Sequence, residues 1–386
     1  MIYRTVQKLG LTGFALVAIA AGETGIQREG PFWVEVERGS ASVSRSSRLE
    51  IFSVGGVTVK GTPGNQVMFT LTKRVRAGSQ VEARRLLNGL HARTGIKLNF
   101  VTLTILGSSG MADLEVRAPS TFHDVVVRTR GGPVVASGFD GTVRAETGAG
   151  RVNLDRISGS VNARTAGGDI LLGQITGSVH CTSGGGPIQA GTIGGEAFFE
   201  TRGGDITVQE VKGPVRCSTA GGGIRIVQAG NVVIADTAGG PIDVGYAKGM
   251  VTAKNSGGPI QVGGASGAQC ESAGGGIRLQ NITGSLKAST AVGSIIAHFQ
   301  SQPASDSFLS TEAGDITIWI PSNLKMTIRA QNVTYGGKKR IVTDFPAILV
   351  KAVGPNAVAE GELNGGGPLV RIAASGGTIY IRREAK

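Results

Sequence analysis

The sequence predicts an all-β chain built on a β-solenoid, a parallel β-helix or β-roll-like coil with rungs of ~18 residues and two short strands per rung. The first observation behind this is periodic: a Gly-rich corner followed by an apolar residue returns at Val134, Val152, Ile170, Ile188, Ile206, Ile224, Ile242, Ile260, Ile277, Ile295 and Ile316. The intervals are 18 seven times, then 17, 18 and 21. The second is a half-period, because an apolar residue falls every nine positions (Val161, Ile170, Val179, Ile188, Ala197, Ile206), which gives two strands per period. The third is composition: 63 Gly without a three-residue period and only 13 Pro exclude collagen and leave glycine as corner punctuation.

In chain order, Met1 to Gly22 carries Arg4 and Lys8, then an uncharged run from Leu9 to Ala21 ending in small residues. This is the pattern of a secretory signal cleaved near Ala20, too short to span a hydrocarbon layer of ~30 Å. Nothing later is long and apolar enough to cross a membrane, so no transmembrane span is expected in the mature chain. Residues 22–48 form a polar lead-in around Phe32-Trp33-Val34-Glu35-Val36. Leu49, Ile51, Val57 and Val59 flank Gly55-Gly56 as strand, turn, strand, and Val67, Phe69 and Leu71 alternate with polar residues in a half-buried strand. Ser79 followed by Glu82 is a capping box, with Val81, Leu86, Leu87 and Leu90 as the expected apolar face of a helix that caps the array.

The regular solenoid is expected over 131–320. Its corners place glycine where tight backbone angles exclude a Cβ. A second inward column, two residues after the first, alternates small and large side chains: Ala163, Leu172, Cys181, Ala190, Phe199, Val208, Cys217, Ile226. Where Phe199 enters it, Ala197 replaces the usual Val, the compensation that close packing demands. Residues one period apart should stack at ~4.8 Å, giving an array of ~50 Å. A three-sided coil of three equal strands also divides the period, but no apolar column recurs at a third of it. After Trp319, Ile320-Pro321 interrupts the pattern, which resumes at Gly366-Gly367 and Gly376-Gly377, so the chain end is expected to close the stack. The expected organisation is a signal peptide (1–21), lead-in (22–48), N-terminal β region with one helix (49–130), solenoid (131–320) and C-terminal β cap (321–386).

The candidate chemistry is sparse. Cys181, Cys217 and Cys270 share the small inward column at separations of two and three rungs, ~9 Å or more, beyond disulfide reach, and read as buried small hydrophobes. A calcium β-roll would need an aspartate at every turn, whereas the Gly-Gly corners are followed by Asp169, Asp205 and Asp315 in some rungs and by Pro133, Pro187, Pro241 and Pro259 in others. No metal or cofactor is therefore expected. Glu196, Glu200, Asp205 and Glu210 are the nearest approach to the carboxylate pair of a polysaccharide-cleaving enzyme. His91, His123, His180 and His298 are scattered, and no catalytic constellation is expected. The outward residues Arg144, His180, Phe198 and Arg216 fall in one column, the candidate binding surface. The net charge of +12 favours anionic envelope surfaces or polysaccharide, while 5% aromatic content and mixed signs speak against a specific nucleic-acid partner. Lys338-Lys339-Arg340, the one tight basic run, reads as a solvated turn.

The order Leu49-Glu50-Ile51 to Gly55-Gly56-Val57-Thr58-Val59, the strands and helix to Ala118-Pro119, the repeats Thr165-Ala166-Gly167-Gly168-Asp169-Ile170 and Ile175-Thr176-Gly177-Ser178, and the closing Ser375-Gly376-Gly377-Thr378-Ile379 resemble the bacterial putative-adhesin domain family of unknown function. The resemblance covers roughly Leu49 to Arg383 and implies an exported β-solenoid of the cell envelope without catalytic residues. The expected function is a non-enzymatic, adhesin-like binding or structural scaffold. The alternatives are a polysaccharide-active β-helix enzyme and an envelope scaffold that self-assembles end to end.

Overall fold

The structure, a computed structural model, describes residues 25–43, 48–97, 100–107, 110–333 and 340–384. The signal segment 1–21 and the Lys338-Lys339 part of the basic run lie outside these. The described residues form two compact units, divided between Gly150 and Arg151.

In the C-terminal unit the chain alternates between two parallel sheets. The first contains Val152–Ile157, Ile170–Ile175, Ile188–Ile193, Ile206–Val211, Ile224–Ala229, Ile242–Ala247, Ile260–Val262, Ile277–Ile282, Ile295–Phe299 and Ile316–Ile320, each paired with the next. The second runs from Val161–Thr165 and Val179–Ser183 to Leu286–Val292 and Ser307–Ala313 in the same way. The period read from the sequence is thus the ladder register: Ile170 sits beside Ile188, Cys181 beside Phe199, Asp236 beside Lys254. Both inward columns are buried, including Phe199 and all three cysteines. Phe199 stands between Cys181 and Cys217 in its column. Burial pushes the three thiols up, Cys270 to about 12 with the Glu271 carboxylate adding to it, so at neutral pH they are protonated apolar fillers.

A third inward column, polar and absent from the sequence reading, closes the second sheet at its corners. Ser183, Thr201, Thr219, Thr237, Asn255, Ser272 and Thr290 are all buried. The Thr219 hydroxyl donates to the Gly204 carbonyl of the preceding rung at 3.0 Å and accepts from the Gly222 N–H of its own corner at 3.3 Å. Ser183, Thr201 and Thr237 repeat both bonds one rung apart, and Asn255 does the same with its amide nitrogen and oxygen. Each side chain therefore supplies corner groups that the parallel ladder leaves without partners. Thr219→Val, which keeps the shape and deletes the hydroxyl, is expected to cost about 2 kcal/mol, with Thr219→Ser closer to wild type, as read by urea unfolding.

The corner glycines are needed for a different reason from the one expected. Gly186, Gly204, Gly222, Gly240, Gly258 and Gly275 have no positive φ. A Cβ at Gly222 would instead overlap the carbonyl of Gly204, and one at Gly258 would lie 2.5 Å from the Gly240 oxygen. Successive corners stack backbone on backbone, and only a residue without a side chain fits between them. The preceding glycine points outward: Gly185 has nothing within 4 Å, and at Gly221 the nearest atom is 3.7 Å away.

The C-terminal rungs are out of chain order. Leu369–Ser375 pairs in parallel with both Ser307–Ala313 and Met326–Val333, and Ile379–Arg383 with both Ile316–Ile320 and Ile341–Thr343. Residues 369–383 do form a rung, but they slot between two earlier ones and do not close the stack. Beyond Met326–Val333 the second sheet continues through antiparallel Asn356–Leu363 and Leu349–Val353.

The N-terminal unit uses the same device. Arg48–Ser53 lies between Phe100–Leu106 and Asp124–Thr129, and Val57–Thr62 between Met111–Pro119 and Val134–Phe139, all parallel. Antiparallel strands then extend both sheets: Gln66–Val75 on Met111–Pro119, Phe32–Ser42 on Gln66–Val75, and His91–Lys97 on Phe100–Leu106. The lead-in thus contributes an 11-residue strand. The helix is Gln80–Asn88, with the Ser79 hydroxyl accepting from the Glu82 N–H at 3.3 Å; Glu82 reaches back to the Gly78 N–H rather than that of Ser79. Its buried residues are Ala83 and Leu87, with Leu90 buried just beyond its end, while Leu86 is half-buried and Val81 is 82% exposed. Val81 was expected inside, but it falls a half-turn away from that stripe.

Candidate functional site

The inward columns are filled by packing and by the polar corner bonds, so chemistry addressed to a partner belongs on the outward columns. On the second sheet, strand register places His180, Phe198 and Arg216 side by side on consecutive rungs, followed by Ile234. The His180 and Phe198 rings stack at 4.5 Å between centroids with 7° between planes. The Arg216 guanidinium lies 3.9 Å from the Asp236 carboxylate on the next rung, a loose and exposed pair that leaves its donors largely available. Arg144, the fourth residue of the expected column, belongs to the N-terminal unit. There it sits in Thr142–Thr147 and its guanidinium bonds the Asp124 carboxylate at 2.6 Å.

The four carboxylates do not converge. Glu200 faces outward on the second sheet, Glu210 outward on the first, and Glu196 lies exposed in a connecting turn. The Asp205 carboxylate accepts the Gly223 N–H of the next rung at 2.7 Å. The other corner aspartates do similar work: Asp315 accepts the Thr378 N–H at 2.7 Å and Asp169 pairs with Arg151 at 2.8 Å. Among the described residues no group of three or more His, Cys, Asp or Glu side chains is placed to hold a metal ion. Among the same residues no helix is long and apolar enough to cross a membrane.

A second outward patch escaped the sequence reading. On the first sheet His298 is in register with Trp319, and Trp319 with Arg382. The His298 and Trp319 rings stack at 5.7 Å, the Arg382 guanidinium lies 5.0 Å from the centre of the Tyr380 ring, and Asp344 holds Arg382 at 3.0 Å. Burial lowers the His298 pKa and favours its neutral ring, while the Arg383 N–H, followed by the Arg382 guanidinium, holds the Asp344 carboxyl below its usual range. The His298 to Trp319 step is available from the sequence, because it equals the Ile295 to Ile316 interval. The Arg382 and Tyr380 contribution is not, because it depends on the out-of-order rung.

These features define a parallel β-solenoid with aromatic and charged side chains in register on its outward columns. Residues 195–339 match the family described as Toastrack DUF4097, so this stretch of the array carries that family's sequence pattern, in keeping with the resemblance to a family of unknown function. Similar solved structures include a putative adhesin from Bacteroides fragilis at 12% identity, covering 74% of this chain and 96% of that one with a TM-score of 0.27. Others are a putative adhesin from Parabacteroides distasonis (11% identity, 74% and 97% covered, TM-score 0.28) and a putative cell adhesion protein from Clostridium sporogenes (8% identity, 91% and 100% covered, TM-score 0.19). No protein of curated function matches the chain.

Proposed function

We propose that the chain is an exported, non-enzymatic β-solenoid of the cell envelope or surface that serves as an adhesin-like binding or structural scaffold. The observation that carries this is the outward display. Parallel register repeats each outward position at the strand spacing of ~4.8 Å, so side chains form straight columns suited to a polymer with its own repeat. The aromatic pair His180–Phe198 followed by Arg216 is one such column segment. The basic N-terminal run with Arg4 and Lys8 ahead of an uncharged stretch supports export, and the net charge of +12 supports an anionic envelope surface or polysaccharide as partner. In this reading residues 1–21 are the export signal, and 131–320, extended by the rung of residues 369–383, are the display array. The divergence of Glu200 and Glu210 onto different sheets weighs against the polysaccharide-cleaving alternative.

The test is a binding panel of glycans, lipids and peptidoglycan on the purified mature protein. Saturable binding of a polymeric ligand with no change in the ligand is the expected result. Cleavage of any glycan in the panel would overturn the non-enzymatic reading.

A further inference from the structure

We infer that the outer face of the N-terminal unit carries a groove for an acidic saccharide, of which a uronate is the simplest form. The inference rests on the binding reading above and gives it a ligand class. Four strands build the face in the order Phe32–Ser42, Gln66–Val75, Met111–Pro119, Val57–Thr62. Their register lays two rows of outward side chains across it. One row is Arg38, Thr70, Glu115 and Thr58; beside it Met68, Arg117 and Lys60 are in register with one another. The rows line a groove of about 380 Å³, a size that suits a small-molecule site.

The charges in this groove are arranged unlike those elsewhere in the same sheet. Lys73 is paired with Glu35 and Glu37 at 3.1 and 3.0 Å, and Arg74 is paired with Asp113. Arg38, Lys60 and Arg117 are exposed and make no ion pair among the described residues. Lys60 and Arg117 stand directly opposite each other on adjacent strands, a like-charge placement that works against the sheet. Three cations therefore face one carboxylate, Glu115, and an anion arriving in the groove relieves their repulsion.

The remaining lining says which anion. Glu115 repels a bare dianion such as phosphate but accepts hydrogen bonds from hydroxyl groups. Thr58 and Thr70 both donate and accept, and Met68, 39% exposed, offers a soft apolar contact to the C–H face of a ring. A singly charged, hydroxyl-rich ring meets all three conditions: its carboxylate goes to the cations, its hydroxyls to Glu115 and the threonines, and its flat face to Met68.

The probe is an oligogalacturonate, titrated calorimetrically into the full-length protein beside its neutral methyl ester, inorganic phosphate and vesicles of phosphatidylglycerol. Oligogalacturonate is expected to bind saturably and to weaken with salt, with the ester and the Lys60→Gln/Arg117→Gln variant each losing about tenfold or more in affinity. Glu115→Gln is expected to strengthen phosphate more than oligogalacturonate, a change of preference that no general loss of structure produces. If the double variant melts early, Arg38→Gln repeats the affinity test from a different strand. Phosphate or vesicles binding as tightly as oligogalacturonate, or undiminished binding by these variants, would overturn the groove and leave the scaffold reading standing. Failure of the unaltered protein to bind anything across the full glycan, lipid and peptidoglycan panel would remove both.

Discussion

Gly222→Ala is expected to cost about 3 kcal/mol, while Gly221→Ala, one residue away in the same corner, should stay within about 0.5 kcal/mol of the parent. The single added methyl is the same in both. At Gly222 it would overlap the carbonyl of Gly204, which is held by the Thr219 hydroxyl, so the clash is with backbone that cannot swing aside. At Gly221 the nearest atom is 3.7 Å away, and the alanine also restricts the unfolded chain, which offsets part of any loss. Urea unfolding followed by circular dichroism reads the difference, with hydrogen exchange at the neighbouring rungs as a second probe because repeat arrays need not unfold in one step. Equal midpoints for the two variants would mean that the rungs can part at their corners, against the stacked arrangement.

The second large effect is at Phe199. Truncation to alanine in a fully buried site is expected to cost about 3–5 kcal/mol through lost transfer energy and the cavity left behind. The adjacent rungs show how the site is balanced: Val179 with Cys181 on one side and Val215 with Cys217 on the other, against Ala197 with Phe199. Ala197→Val alone overfills the layer and is expected to lose about 1–3 kcal/mol. Combined with Phe199→Cys it recreates the neighbouring pair, so the double variant should be markedly more stable than the two single losses predict. A double-mutant cycle in urea measures that coupling, and simple additivity would show that the two positions do not share volume.

How much of the molecule is legible in its sequence differs along the chain. In the array, sequence comparison is structural comparison, because each residue has its equivalent one period away and the ladder pairs those equivalents. Hence the inward columns, the burial of the cysteines and the His180–Phe198–Arg216 column are all readable. The threonine column is hidden, because a polar residue beside a glycine corner reads as surface and its burial depends on a carbonyl of the preceding rung. Backbone angle is the expected reason for a corner glycine, whereas its neighbour on the rung below decides the matter. The Arg38, Lys60 and Arg117 groove cannot be read at all: its strands meet through antiparallel and out-of-order pairings that leave no periodic trace. Val81 is misplaced for a smaller reason, since a helix as short as Gln80–Asn88 allows more than one apolar stripe.

The interleaved rungs also bear on how the chain reaches this state. Within the array every pairing closes a loop of about one rung, so each step costs nearly the same entropy and growth can run along the stack like a zip. The pairings of Ser307 with Val370 and of Leu49 with Val125 close loops several times longer. Such non-local closures slow folding. Each also inserts a strand between two others and so completes two ladders at once. Each interleaved rung therefore acts as a latch within its own unit: slow to set, and once set, a barrier to fraying.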